Sequence, residues 1–202
     1  VWGRPILDPS FMTLHKEIEI KFRVENLRLL NRRLRQSGFR VVTPRTHEMN
    51  TLYDLPGQRL RKRGDLLRLR KYGRKWTLTH KAKGKTGRHK IRVENETQVA
   101  DGARMDIILR ALGFAPTFRY EKFRAEWSDG KGHVVVDQTP VGNFGEIEGP
   151  AYWIDQTARH LRVPQASYIT ETYAALFFRW KRLTGSAAQE MTFASVGKSK
   201  TR

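Results

Sequence analysis

Glu17 and Glu19 stand two positions apart in the alternating stretch Glu17-Ile18-Glu19-Ile20-Lys21, and Glu146 and Glu148 bracket Ile147 far along the chain. In a strand, residues at i and i+2 project from one face, so each pair presents its carboxylates together. Clustered hard oxygen ligands suit Mg2+ or Mn2+. Cations with the same spacing lie between the pairs. Arg68 and Arg70 alternate with Leu67 and Leu69, while Lys81 and Lys83 follow Thr77 and Thr79. Arg88, Lys90 and Arg92 precede Glu94 and Glu96, and Lys122 and Arg124 precede Glu126. Guanidinium forks and ammonium groups grip phosphate oxygens. Acids on outer strands and cations on middle ones are equipped to hold a metal and a polyphosphate side by side, each set relieving the repulsion within the other.

These residues need strands to carry them. Period-2 patterning marks eight, approximately 16–24, 47–54, 65–72, 75–83, 88–98, 118–128, 132–139 and 143–149. Gly73-Arg74, Gly84 to Gly87, Asp129 to Gly132 and Pro140 to Asn143 supply turns, so hairpins and an antiparallel sheet are expected, closed or nearly closed into a barrel. Helical spacing appears in about four places: Leu27, Leu30 and Leu34 before Gly38; Ile107, Ile108 and Leu112 before Gly113; Tyr152 to Leu161; and Tyr168 to Trp180. The expected class is α+β, an eight-stranded antiparallel barrel with about four helices packed outside.

At 202 residues one domain is expected, 15–184, with a peripheral extension at 1–14 and a flexible basic tail at 185–202. No long apolar run or leader is evident, so a soluble, cytoplasmic protein without a membrane partner is expected. The absence of cysteine removes disulfides and thiolate chemistry. Lys and Arg number 39 against 20 acids, a net charge of +19, which favours polyanionic partners.

Alternation alone fits two architectures: an ordinary sheet with a solvated charged face, or a barrel with a charged interior and an apolar exterior. Small barrels are usually filled with apolar side chains, which favours the first. The segregation of signs favours the second, because a solvated surface interleaves them. Other features carry less. His15, His47, His80, His89, His133 and His160 are scattered without metal-ligand spacing. Gly84 to Gly87 lacks the rest of a P-loop and is expected to be a hairpin turn. Arg59, Arg61, Lys62 and Arg63 form a basic patch in an expected loop. Tyr168, Tyr173 and Trp180 are expected to pack the last helix.

The ordered set of motifs resembles the CYTH superfamily, the triphosphate tunnel metalloenzymes. Glu17 to Lys21 matches its ExExK signature, followed by Leu67-Arg68-Leu69-Arg70, Leu78-Thr79-His80-Lys81, Arg92-Val93-Glu94-Asn95-Glu96, Glu121-Lys122-Phe123-Arg124, Val136-Asp137 and Gly145-Glu146-Ile147-Glu148-Gly149. The resemblance covers roughly 14–183 and implies a charged eight-stranded tunnel with a triphosphate inside. It implies Glu17, Glu19, Glu146 and Glu148 as metal carboxylates, with Asp137 and Glu94 or Glu96 nearby. Lys21, Arg68, Arg70, Lys81, Arg92, Lys122 and Arg124 would form the phosphate clamp, and all of these but Arg92 would act directly in catalysis. The implied activity is Mg2+- or Mn2+-dependent hydrolysis of tripolyphosphate, a nucleoside triphosphate or thiamine triphosphate. A class IV adenylate cyclase is the alternative, disfavoured because Phe11 is followed by Met12 where cyclases carry a His-Phe pair ahead of ExExK. A non-catalytic polyphosphate or RNA binder is a third reading, and the paired acids argue against nucleic acid. A monomer and a homodimer both fit.

Overall fold

The structure, a computed structural model, describes residues 15–199; the extension 1–14, with Phe11 and Met12, and residues 200–202 lie outside the described residues. The strands are β1 (His15–Arg23), β2 (Arg40–Asp54), β3 (Leu66–Tyr72), β4 (Lys75–Lys81), β5 (Lys85–Thr86), β6 (Lys90–Val99), β7 (Ala115–Ser128), β8 (His133–Thr139) and β9 (Gly142–Glu148). Eight of them close a barrel in the order β1-β9-β8-β7-β2-β3-β4-β6, with β6 pairing back onto β1. Every pairing is antiparallel. Closure leaves no long edge to template aggregation. The two-residue β5 lies on β6 outside the ring. β2 begins at Arg40, earlier than alternation indicated, because register shifts between Val41 and Thr46 break the period there.

The helices are α1 (Leu27–Gln36), α2 (Arg59–Arg63), α3 (Gly102–Ala111), α4 (Ala151–His160), α5 (Tyr173–Thr184) and α6 (Phe193–Ser199). Ile20, Phe22, Trp127, Val134, Val136 and Ile147 form an outward apolar face, covered by Leu30 and Leu34 of α1 and Trp153, Ile154 and Ala158 of α4. Gly145 lets the Phe22 ring lie across β9, since a Cβ there would stand 2.2 Å from it. A second outward patch, Tyr53, Leu67, Leu69, Trp76 and Leu78, meets Met105 and Leu109 of α3. The apolar half of each alternation therefore faces out beneath helices, and the charged half faces in. Among the described residues no helix is long and apolar enough to cross a membrane.

Three expectations change. The basic patch Arg59–Arg63 is the short helix α2, not a loop, because the Asp54 carboxylate accepts from the backbone N–H groups of Leu55, Leu60 and Arg61 at 2.7, 2.8 and 3.0 Å. The last long helix starts at Tyr173 rather than Tyr168: Thr172 caps it, and Ile169 extends alongside β1, exchanging backbone hydrogen bonds with Lys21. The expected flexible tail is docked over 186–196. Met191 exchanges backbone hydrogen bonds with the exposed side of β7, and Ala188, Met191 and Val196 complete an apolar cluster with Tyr173, Leu176 and Phe177 of α5. Phe118, Tyr120 and Phe144 of the barrel belong to the same cluster, so α5 plugs one barrel end where the inward residues change from charged to aromatic.

Met191 is fully buried. Met191→Ala should therefore cost about 2–5 kcal/mol in urea unfolding, the range for emptying a core site. A loss below about 0.5 kcal/mol, as at a free surface, would show that the segment is not part of the fold.

Candidate active site

Directly opposed residues of antiparallel strands share a face, so the registers decide what meets inside the barrel. Glu17 opposes Arg92, and Glu19 lies between Lys90 on one side and Glu148 on the other. Lys21 opposes Glu146, and Lys81 opposes Glu94. Arg68 and Glu96 flank Thr79, Arg70 opposes Thr77, and Lys122 opposes Glu48. These rows enclose a cavity of about 560 Å3. Its wall carries eight cations (Lys21, Arg68, Arg70, Lys81, Lys90, Arg92, Lys122, Arg124) and six carboxylates (Glu17, Glu19, Glu94, Glu96, Glu146, Glu148). Leu66, Asn95, Tyr120, Thr172 and Tyr173 are the uncharged lining residues.

The two signs, segregated along the sequence, pair through space. Lys81 Nζ donates to both oxygens of Glu17 at 2.7 and 2.6 Å and lies 3.0 Å from Glu94. Lys90 meets Glu19 at 2.6 Å, and Lys21 meets Glu146 at 2.7 Å. Arg70 reaches Glu96 at 3.0 Å, and Arg68 lies 3.5 Å from Glu96 and 3.8 Å from Glu94. The Arg68 guanidinium is buried beside Tyr120 and Glu48 as well. Lys90 was legible as part of the charged face of β6 but was not placed in the clamp; here it stands beside Glu19. Arg92 lines the cavity yet directs its guanidinium to the carbonyls of Ala82, Gly64 and Lys81 at 2.9, 3.0 and 3.3 Å, tying α2 to the end of β4. Among the described residues no histidine lines the cavity.

Asp137 is not on the wall. It is fully buried, accepting from Lys122 at 2.9 Å, from Arg124 at 2.7 and 2.6 Å, and from the Tyr173 hydroxyl at 2.6 Å. Its oxygens are therefore turned to orienting two cations and a tyrosine. Beside it stands Glu48, also fully buried, 3.4 Å from Lys122 and 3.8 Å from Arg124, with Asn50 donating to it at 2.9 Å. Sequence reasoning passed over Glu48. The signal was present as Glu48 and Asn50 at i and i+2 on β2, but neither belongs to a recognisable motif.

The carboxyls respond differently to this setting. Burial raises Glu48, but Lys122, Arg124, Arg70 and Arg68 outweigh it and hold the group at about 2. Burial is likewise overcome at Glu146, held well below the usual range by Lys21, Arg124 and Lys122. At Glu19, Lys21 and Lys90 prevail over burial and the nearby Glu146, and the group is lowered. Glu17 is raised, burial and the Glu19 and Glu94 charges exceeding the pull of Lys81. Glu148, exposed as a residue but turned toward the cavity, is pushed up to about 7 by partial loss of water and then by Glu17 and Glu19. Negative charge around Glu17 and Glu148 is thus undercompensated, which is the setting a divalent cation relieves. The donors are all hard oxygen and fit Mg2+ or Mn2+ by type. Among the described residues no three acids or imidazoles stand ready as a metal cage, because lysines occupy the carboxylates.

The family model of the CYTH domain matches residues 15–173. The chain belongs to the CYTH family. The fold agrees: a Vibrio parahaemolyticus protein proposed as an adenylate cyclase superposes with a TM-score of 0.71 at 20% identity, over 80% of this chain and 97% of that one. A Pyrococcus horikoshii protein gives 0.69 at 24% identity over 79% and 98%, and a Hippeastrum protein with a dominant triphosphatase activity gives 0.60 at 18% over 81% and 95%. No curated protein matches the sequence at a significant level. The charged barrel is accordingly the CYTH triphosphate tunnel, in a family of enzymes acting on triphosphates and generally dependent on divalent metals.

Glu48 makes this CYTH domain's stability depend on pH. Its folded carboxyl sits at about 2 against an ordinary 4.5, so its stabilisation is complete above about 4.5 and is lost as pH falls toward 2. Urea unfolding followed from pH 6 down to 2 should show a decline in that window that is shallower in Glu48→Gln, with the variant also less stable at pH 6 because Lys122 and Arg124 lose a counter-charge. Parallel profiles for the two proteins would contradict this assignment.

Proposed function

We propose that this CYTH domain is a divalent-metal-dependent triphosphatase, and that inorganic tripolyphosphate is the substrate its cavity fits best. The observation that carries the reading is the wall itself: eight cations and six carboxylates against five uncharged residues. Such a lining offers contacts to phosphate along its length and little apolar surface for an adenine or a thiamine ring. The organic part of a nucleoside or thiamine triphosphate would lie beyond the charged section and add little binding. Membership of a triphosphate-acting family and the triphosphatase activity of the Hippeastrum relative support the same reading.

In this account Lys21, Arg68, Arg70, Lys81, Lys122 and Arg124 grip the phosphate oxygens through charge-assisted hydrogen bonds. Phosphoryl transfer asks mainly for alignment and for charge held on the equatorial and leaving oxygens, and fixed cations in a barrel wall supply both. Asp137 and Glu48 hold Lys122 and Arg124 from behind. Glu17, Glu19, Glu146 and Glu148 would hold Mg2+ or Mn2+, with Glu94 and Glu96 close by; bound there, the ion would supply Lewis acidity to phosphate oxygens and lower the pKa of a water. A water oxygen bonds to the terminal phosphorus as the bridging P–O bond breaks. Pyrophosphate leaves with the electron pair, and the proton lost by water ends on the products.

Incubation with tripolyphosphate, ATP or thiamine triphosphate, with Mg2+ or Mn2+ and with chelator, tests the proposal. Tripolyphosphate should be cleaved fastest to phosphate and pyrophosphate, and chelator should stop the reaction. Glu148→Gln, at the exposed edge of the tunnel, should retain the fold and lower turnover by more than about 100-fold, beyond what loss of an outer-shell metal partner costs. Turnover that persists in chelator, cyclic AMP as the main product from ATP, or no turnover of any of the three would each overturn the reading.

A further inference from the structure

The first residue of α5 touches two cations of the tunnel, one from β1 and one from β7. Tyr173 is buried, and its ring forms part of the cavity wall. Lys21 Nζ lies 4.7 Å and Lys122 Nζ 4.5 Å from the ring centroid. These lysines come from β1 and β7, which are separated in the barrel by β9 and β8, so the two strands do not pair directly and no single register sets the lysines against each other. The ring itself is well anchored. Its hydroxyl donates to Asp137 at 2.6 Å, Phe144 meets it edge-on with centroids 5.7 Å apart, and Tyr120 stacks at 6.0 Å.

We propose that Tyr173 is a positioning residue, whose ring holds the Lys21 and Lys122 ammonium groups at a fixed separation so that both address one bound triphosphate. A lysine has a long, freely rotating stem and loses substantial rotamer entropy when fixed. A carboxylate could fix it, but would add negative charge and compete with phosphate for the same N–H donors. An aromatic face attracts the cation through its quadrupole and leaves those donors available. Lys21 is anchored by Glu146, and Lys122 by Asp137 with Glu48 3.4 Å away, which leaves at least one of the three protons on each nitrogen for a ligand. The tyrosine thus explains why α5 enters the barrel at this depth, a role that packing of its apolar stripe does not require.

The inference rests on the triphosphatase reading for its ligand, but the contact between ring and lysines is measurable without one. In the full chain, Tyr173→Phe keeps the ring, and 3,4,5-trifluorophenylalanine at the same position keeps its shape while weakening its quadrupole. NMR of the ligand-free proteins should show the ε-methylene protons of Lys21 and Lys122 shifted upfield in the wild type and the Phe variant. Calorimetric titration with tripolyphosphate in chelator, where no turnover occurs, should show the trifluoro variant binding about fivefold more weakly than Tyr173→Phe, as expected for weakening two partly desolvated cation–π contacts. Melting temperatures should agree, since the side chains fill the same space. Equal affinities for the two variants, or lysine protons without the ring-current shift, would overturn the inference. Should the wild type bind no tripolyphosphate at all, the functional reading fails, while the ligand-free shifts still decide whether Tyr173 positions the lysines.

Discussion

Compensation of buried charge is the constraint on which the rest of this structure depends. Moving an isolated ion from water into a protein costs several kcal/mol even after relaxation, and removing one partner of a buried pair is severe. Among the described residues the cavity wall of this barrel carries eight cations and six carboxylates, with Glu48 and Asp137 buried behind it. They are tolerable because the registers set opposite signs against each other, as with Lys81 between Glu17 and Glu94, and Arg124 among Asp137, Glu146 and Glu48. Once charge fills the interior, the apolar half of every strand must be covered from outside, which explains the helices α1, α3 and α4 over the outward faces. The plug follows from the same constraint. Where the inward residues become Phe118, Tyr120 and Phe144, α5 and the segment ending at Val196 supply the apolar partners.

The pairing also shapes how ligands would enter. Within the barrel, acids and lysines of the proposed metal and phosphate sets pair with one another, Glu17 with Lys81 and Glu19 with Lys90. A metal taking the carboxylates would release the lysines, and a triphosphate taking the lysines would release the carboxylates. Under the proposed triphosphatase reading, each exchange would lower the cost of the other.

Much of this was legible in the sequence, for physical reasons. Strict alternation fixes which side chains share a face, so Glu17, Glu19 and Lys21, or Arg68 and Arg70, could be grouped without coordinates; strand count and hairpin turns pointed to a closed or nearly closed eight-stranded barrel, and the resemblance to the CYTH family decided for its charged interior. What alternation could not supply was the through-space partner. Segregated signs suggested separate metal and phosphate zones, whereas cross-strand register interleaves them. Asp137 was grouped with the metal acids by its place in a motif, but its depth behind Lys122 and Arg124 depends on barrel curvature. Glu48 was missed because a single acid among Thr, His and Asn on β2 carries no local pattern. The segment after Gly185 looked like a tail because its anchors, Met191 and Val196, are too few to register as a periodic stripe, and its backbone pairing with β7 is non-local.

The most direct test of the central claim is crystallographic: grow crystals of Glu148→Gln, slowed in turnover, with Mn2+ and tripolyphosphate, and locate manganese by anomalous scattering. The account predicts a manganese peak inside the barrel beside Glu17, Glu19 and Glu146, with three phosphorus positions running past Arg68, Arg70, Lys122 and Arg124. Tripolyphosphate bound only on the outer surface, with the interior ion pairs Lys81–Glu17 and Lys21–Glu146 intact, would contradict it.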